Sequence, residues 1–386
     1  LFADRTNWNL APNRLSEALA RHRAAGRPLV DLTVSNPTQC GFEYDGEAIL
    51  RALCDPGNLT YEPNPRGPEA ARRAVSAYYA ERGTQVAPED IFLTASTSEA
   101  YSFVFRMLCN PGYELLIPAP SYPLLDYLAE MQDVKLVRYR LVYDHGWQIE
   151  LHALEQAITP RTRGLVVVHP NNPTGHFVKR AEIEALNAIC AARGMALIAD
   201  EVFLDFGLTA TPATFAANRV SLTFTLGGLS KISGLPQMKL AWLVVSGPEP
   251  WKSQATARLE VIADTYLSTS TPVQLAAPVF LEQRRGFQPQ LMARVRANLA
   301  ELDRQLSGQK ICARLVVEGG WYAVLRVPAT RPDEDLAIEA LTKKNVYVHP
   351  GHFFDFPGDG YLVVSLIAPE AEFAAGIRLL LELLAE

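Results

Sequence analysis

The sequence predicts an α/β protein: a large domain whose mostly parallel sheet is sandwiched by helices, and a smaller α+β domain following it. Three observations predict this. Strand-like apolar runs alternate with amphipathic helical patterns over residues 67–247, which is how strand, crossover helix and next strand read in a sequence. Most of those strands are short, nearly continuous apolar runs, as strands covered on both faces are. From about residue 255 the alternation gives way to a long helical stretch, two strand patterns and a terminal helix. We divide the chain into an N-terminal segment, 1–40, associated with the smaller domain or a partner subunit, a large domain, 41–270, and a small domain, 271–386.

In chain order, "PEAARRAVSAYYAERG" is an amphipathic helix, "IFLTAS" a strand and "SEAYSFVFRMLCN" a helix. The strand "YELLIPAP" and the helix "SYPLLDYLAEMQD" come next, then "VKLVRYRL", "ELHALEQAI", "TRGLVVVHP", "RAEIEALNAICAARG", "ALIADEVF", "VSLTFTLGG" and "LAWLVVSG". The later unit consists of the helix "FQPQLMARVRANLAELDRQLSG", the strands "ARLVVEGGWYAVLRV" and "GYLVVSLIA", and the last helix. Ligands of such open sheets bind beyond the carboxyl ends of the strands.

Bulk composition narrows the function classes. Of 386 residues, 48% are apolar and 20% charged, so a folded chain with a large interior is expected. The net charge of −6 is mixed along the chain, which argues against nucleic acid or an anionic membrane as partner and for a small molecule. No apolar run approaches the roughly 20 residues of a bilayer crossing, and "LFADRTNWNL" is no signal peptide; a cytoplasmic protein is expected. Cys40, Cys54, Cys109, Cys190 and Cys312 are odd in number and lack metal-type spacing, and the seven histidines form no ligand pair, so no metal is expected.

Four strand-end segments carry unusual polar groups. "TASTSEA" opens a helix with Ser96, Thr97 and Ser98, an anion-binding arrangement suited to phosphate, although serine and threonine also serve there as caps. "HPNNPTG" sets Asn171 and Asn172 in a loop stiffened by prolines, with a cis bond before Pro173 anticipated. "LIADEVF" ends an apolar strand on Asp200 and Glu201, carboxylates that need partners if buried. "GGLSKISGLPQMKLAW" places Lys231 and Lys239 among apolar neighbours. A desolvated lysine loses proton affinity and becomes a nucleophile for carbonyls. Phosphate site, aspartate, fixed asparagine and shielded lysine together describe a pocket for pyridoxal phosphate.

With these residues in view, the chain resembles the fold-type I pyridoxal-phosphate enzymes of the class I/II aminotransferase superfamily, whose fold is aspartate-aminotransferase-like. The signposts "YEPNPRGPEAAR", "TASTSEA", "PGYELLIPAPSYP", "HPNNPTG", "ADEVF", "SKISGLPQMK" and "HPGHFF" occur in family order over nearly the whole chain. The resemblance implies that Lys231 is the Schiff-base lysine and catalytic residue, and that Asp200 pairs with the pyridine nitrogen. Asn172 would meet the ring's phenolic oxygen, and Tyr122 would stack on the ring. It assigns the phosphate to Ser96, Thr97, Ser98, Ser230 and Lys239, and implies a homodimer with shared sites in which Tyr61 reaches the neighbouring subunit's phosphate.

Departures from the family pattern are equally specific. Lys239 stands where arginine is usual, Gly228 where a serine is common, Ser96 and Ser35 where glycines are, and Phe203 where a tyrosine ends "DEVY". The arginine that grips the substrate's α-carboxylate aligns with Val363. Asn36 in "VSNP" and His352 in "PGHFF" are polar residues that the family layout brings near, and with Ser35 they are the substrate-binding candidates. The expected function is amino transfer between an amino acid or amine donor and a keto acid. A β-elimination lyase or decarboxylase on the same fold is the alternative, and a non-catalytic regulatory domain the remote one.

Overall fold

The computed structural model describes residues 1–209, 212–267 and 269–386. Strand β1 (Val30–Asp31) precedes eight strands that form one sheet: β2 (Ile91–Thr94), β3 (Glu114–Ala119), β4 (Lys135–Tyr143), β5 (Trp147–Ile149), β6 (Thr162–Val168), β7 (Ala196–Asp200), β8 (Thr223–Gly228) and β9 (Ala241–Ser246). Their order is β2-β9-β8-β7-β6-β3-β4-β5. The pairs from β8 across to β4 are parallel, while β9 runs against both its neighbours and β5 against β4. The sheet is thus mostly parallel, as its apolar runs predict.

The helices up to residue 282 are α1 (Arg14–Ala24), α2 (Gly46–Ala52), α3 (Glu69–Glu81), α4 (Thr97–Leu108), α5 (Leu124–Glu130), α6 (Leu151–Gln156), α7 (Arg180–Arg193), α8 (Leu229–Ile232), α9 (Trp251–Tyr266) and α10 (Thr271–Glu282). Successive strand residues point to opposite faces, and the cores on the two sides show it. Leu115, Ile117, Ile198 and Leu226 pack with α4, α5 and α9. Leu116, Leu197 and Ala199 pack with α6 and α7 on the other face, where α2, α3 and α10 cover Ile91, Leu93 and Trp242. Helix α10, which the sequence reading puts in the C-terminal unit, therefore lies on the large sheet.

After α11 (Arg284–Leu306) come β10 (Ala313–Arg314), β11 (Tyr322–Arg326), α12 (Asp333–Lys344), β12 (Val346–Tyr347), β13 (His349–Pro350), β14 (Tyr361–Ser365) and α13 (Glu370–Leu384). They build an antiparallel sheet of order β10-β11-β14-β13, and β12 pairs in parallel with β1. Helix α1 packs on α12, so the N-terminal segment from Arg14 onward lies with this later sheet. Among the described residues, no helix is long and apolar enough to cross a membrane, and no cluster of side chains fits a metal ion.

The continuous strand expected in "ARLVVEGGWYAVLRV" is split. The amides of Glu318 and Gly319 leave the ladder and donate to Gly175 O at 3.2 and 3.1 Å. Gly175 has φ +70, and a Cβ there would lie 2.4 Å from Val317 Cγ2 and 2.7 Å from Gly319 O, so only glycine permits this docking. A second link between the layers is polar. Asp205 accepts from Tyr78 at 2.9 Å, from Arg82, and from Gln288 Nε2 at 2.7 Å, and Gln288 Nε2 also donates to Ile232 O at 2.9 Å.

Candidate active site

Five strands deliver side chains to one edge of the large sheet. Residues just past the carboxyl ends of β2, β3, β6, β7 and β8 line a cavity of about 350 Å³, the place the sheet topology provides. Its wall includes Ser96, Thr97, Ser98, Tyr122, Asn172, Asp200, Ser230, Lys231 and Lys239, together with Ser35 from the N-terminal segment.

Lys231 stands on α8, a four-residue helix whose entry is fixed by the Leu229 amide donating to Leu240 O at 3.0 Å. Its Nζ lies 5.5 Å from the ring centre of Phe203 and 4.9 Å from that of Trp321. Burial pulls the amine down to about 8, the Asp200 carboxylate working in the opposite direction. The amine is thus desolvated, the condition that favours its neutral form.

Asp200 closes β7. Tyr101 donates its hydroxyl to Asp200 Oδ2 at 3.0 Å, and the Val202 amide donates to Oδ1 at 3.1 Å. Burial raises the carboxyl, while the Val202 amide, the Tyr101 hydroxyl and the charge of Lys231 lower it. Glu201, one residue on, turns elsewhere: it accepts from the Phe215 amide at 2.6 Å and from Thr214 at 2.5 Å, and burial lifts it to about 7. Adjacent carboxylates thus have separate surroundings.

The "HPNNPTG" loop has cis bonds at His169–Pro170 and Asn172–Pro173. Asn171 Nδ2 donates to Pro120 O at 3.0 Å and Thr174 Oγ1 at 2.9 Å, tying this loop to the one that carries Tyr122. Asn172 faces the cavity instead, and its buried Oδ1 has no partner. Ser96 caps α4 by accepting from the Glu99 amide at 3.1 Å. Thr97 and Ser98 follow as the first two helical residues, whose amides have no acceptor within the helix. Lys239 has φ +51 and makes no ion pair among the described residues.

Three candidates lie elsewhere. Tyr61 is 70% exposed and lines a separate recess with Gly67, Leu93 and Gln274. Asn36 spends its side chain on a turn, accepting from the Thr38 amide at 3.1 Å and hydroxyl at 2.7 Å. His352 is exposed on the turn Gly351–Phe354 and is not in the cavity wall. Conversely, Tyr101, Ser121 and Tyr322 line the cavity without having been singled out in the sequence. Tyr101 sits one helical turn beyond Thr97, and that spacing is the only signal that marks it.

The donor set fits pyridoxal phosphate. Hydroxyls and helix-start amides beside a lysine suit a phosphate. A carboxylate and an amine share the cavity, and the orphaned Asn172 Oδ1 marks a wall that lacks a polar partner.

Comparison with known proteins agrees. Residues 27–371 match the family described as aminotransferase class I and II. The glutamate-pyruvate aminotransferase AlaA of Escherichia coli is 26% identical over 356 residues, covering 88% of this chain and 87% of that protein. An alanine aminotransferase of Mycobacterium tuberculosis is 27% identical over 383 residues, covering 93% and 86%. Among solved structures, an alanine aminotransferase from Pyrococcus furiosus superposes with a TM-score of 0.90 at 21% identity, covering 100% of both chains. A mutant aspartate aminotransferase of Thermus thermophilus gives 0.86 at 22% identity, covering 99% of each. The chain belongs to the class I and II aminotransferases and is a pyridoxal-phosphate-dependent enzyme that transfers amino groups.

Proposed function

We propose that this cavity is the site of amino transfer and that Lys231 is its covalent and proton-carrying residue. The observation that carries the reading is a buried amine held near 8 in one cavity with Asp200. Bound there, pyridoxal phosphate supplies an electron sink that makes the donor's Cα proton removable. Lys231 Nζ then takes that proton and returns it, an exchange suited to an amine that is partly neutral near neutral pH. Asp200, held by Tyr101 and the Val202 amide, would pair with the ring nitrogen, and Asn172 with the ring oxygen. Ser96, Thr97, Ser98 and Ser230 would hold the phosphate, with Lys239 a point charge where a guanidinium fork would grip at two atoms. Tyr122 would stack on the ring. Tyr61, remote from its own cavity, serves the phosphate of a second copy in a homodimer.

The test is spectral. An amine donor alone should convert the bound aldehyde to the amine form, and a keto acid alone should restore it. Donor turnover without any keto-acid requirement would refute amino transfer.

Phe203 leaves Asn172 as the one side-chain donor we assign to the ring oxygen. The pH-dependent absorbance change of the loaded enzyme should therefore move to lower pH in Phe203→Tyr. About one pH unit is expected, the effect of one added hydrogen bond of roughly 1.4 kcal/mol. An unmoved titration would refute the assignment.

A further inference from the structure

Tyr322 and Ser35 line the same cavity as Lys231, and the backbone explains why they meet there. Tyr322 pairs with Ser365 across β11 and β14. The Ser365 amide donates to Leu32 O at 2.7 Å, three residues before Ser35. The Tyr322 ring centre is 6.3 Å from that of Phe203, which in turn lies 5.5 Å from Lys231 Nζ. Burial pushes the Tyr322 phenol up, the nearby Ser35 hydroxyl opposing it. The phenol is therefore a neutral O–H donor at any working pH.

This chain contributes no guanidinium to the cavity wall among the described residues. Among the described residues, Lys231 and Lys239 are the only cations lining the cavity. Strand β14 offers Val363, which is 1% exposed and packed with Val324 and Phe354. Arg14 is committed to Glu334 and Asp335. One further polar group lacks a partner: Ser121 is 5% exposed, lines the cavity, and its Oγ makes no hydrogen bond. A buried hydroxyl in that state is free to bond a ligand atom or a water.

We propose that the polar group on the donor's Cα is received by neutral hydroxyls, Tyr322 and Ser35 with Ser121, so that the enzyme takes amino-acid amides as readily as amino acids. Hydrogen bonds to a charged partner are about twice as strong as neutral ones, so a guanidinium separates carboxylate from carboxamide by charge. Hydroxyls accept either group, since both present a carbonyl oxygen. The inference rests on Lys231 being the reacting amine.

The experiment uses enzyme loaded with pyridoxal phosphate and follows its absorbance on mixing with L-alanine, L-alaninamide, L-phenylalanine and L-phenylalaninamide. Donors are compared per free amine, because the amides lose their proton at lower pH. Each amide should react within about tenfold of its acid in kcat/KM. Tyr322→Phe and Ser35→Ala should each raise KM for both donors, by about three- to tenfold for the amide, the effect of one neutral hydrogen bond, and by about tenfold or more for the acid, whose carboxylate makes a charge-assisted one. The spectrum of the loaded variants should stay unchanged, which also reports that they are folded. A preference for the acids above about a hundredfold would overturn the proposal, as would an unchanged KM in Tyr322→Phe. If neither acids nor amides discharge the loaded enzyme, the amino-transfer reading falls and this inference falls with it.

Discussion

Lys231→Ala is expected to fold normally and to transfer amino groups at least about 10⁴-fold more slowly, because proton transfer by a positioned side chain alone contributes about 10²–10⁴-fold. The covalent route disappears as well. Stopped-flow absorbance with a single donor measures this, and a variant that kept wild-type turnover would remove Lys231 from the mechanism. The wild-type lysine has its own pH signature. At an ordinary value of 10.5 its reactive form would keep growing across the whole alkaline range, whereas at about 8 it is complete much earlier. Covalent loading of cofactor-free protein should therefore speed up about tenfold per pH unit below pH 8 and level off above it. Stability follows the same numbers. Between about 8 and 10.5 the unfolded chain holds the proton that the folded chain has released, so stability from this group rises with pH across that window and is flat below it.

Asp200→Ala is expected to lower turnover by about 10²–10³-fold, the range for losing one preorganised electrostatic partner. Two further consequences separate this from a folding defect. The Asp200 charge raises the Lys231 amine, so its loss should move the break in loading rate below pH 8. Burial raises the Asp200 carboxyl above its ordinary value, so the folded state favours the protonated form and this group's contribution declines as pH rises past the unfolded value. Asp200→Asn should consequently melt at the same temperature as wild type or higher while losing activity, a trade of stability for function. Thermal melts at neutral pH check it. A large drop in melting temperature would make Asp200 a structural residue.

Much of the site was legible because open α/β sheets put their chemistry where strands end. Asp200, Asn172 and Lys231 are far apart in sequence, yet each closes or follows an apolar run, and the parallel pairings of β6, β7 and β8 gather them. What was not legible depended on contacts between layers. The strand pattern before Trp321 breaks because Glu318 and Gly319 bond to Gly175, which no local periodicity announces. Helix α5 begins at Leu124 rather than at Ser121, since the Ser121 amide donates to Phe354 O at 2.9 Å. That tie holds Ser121 and Tyr122 in the cavity wall. Ser121 and Tyr322 are single side chains that reach the cavity wall only through where distant backbone places them. Asn36 was expected near the substrate and instead caps its own turn, the local bond that asparagine makes readily.

The lysine's helix is only four residues long, and so short a helix has almost no rigidity of its own. Its last carbonyl, Ile232 O, is held by Gln288 from α11, which runs for 23 residues. The aim of the nucleophile is therefore borrowed from a long rod that never enters the cavity. Bending that rod would misdirect the amine without substituting a single residue of the pocket.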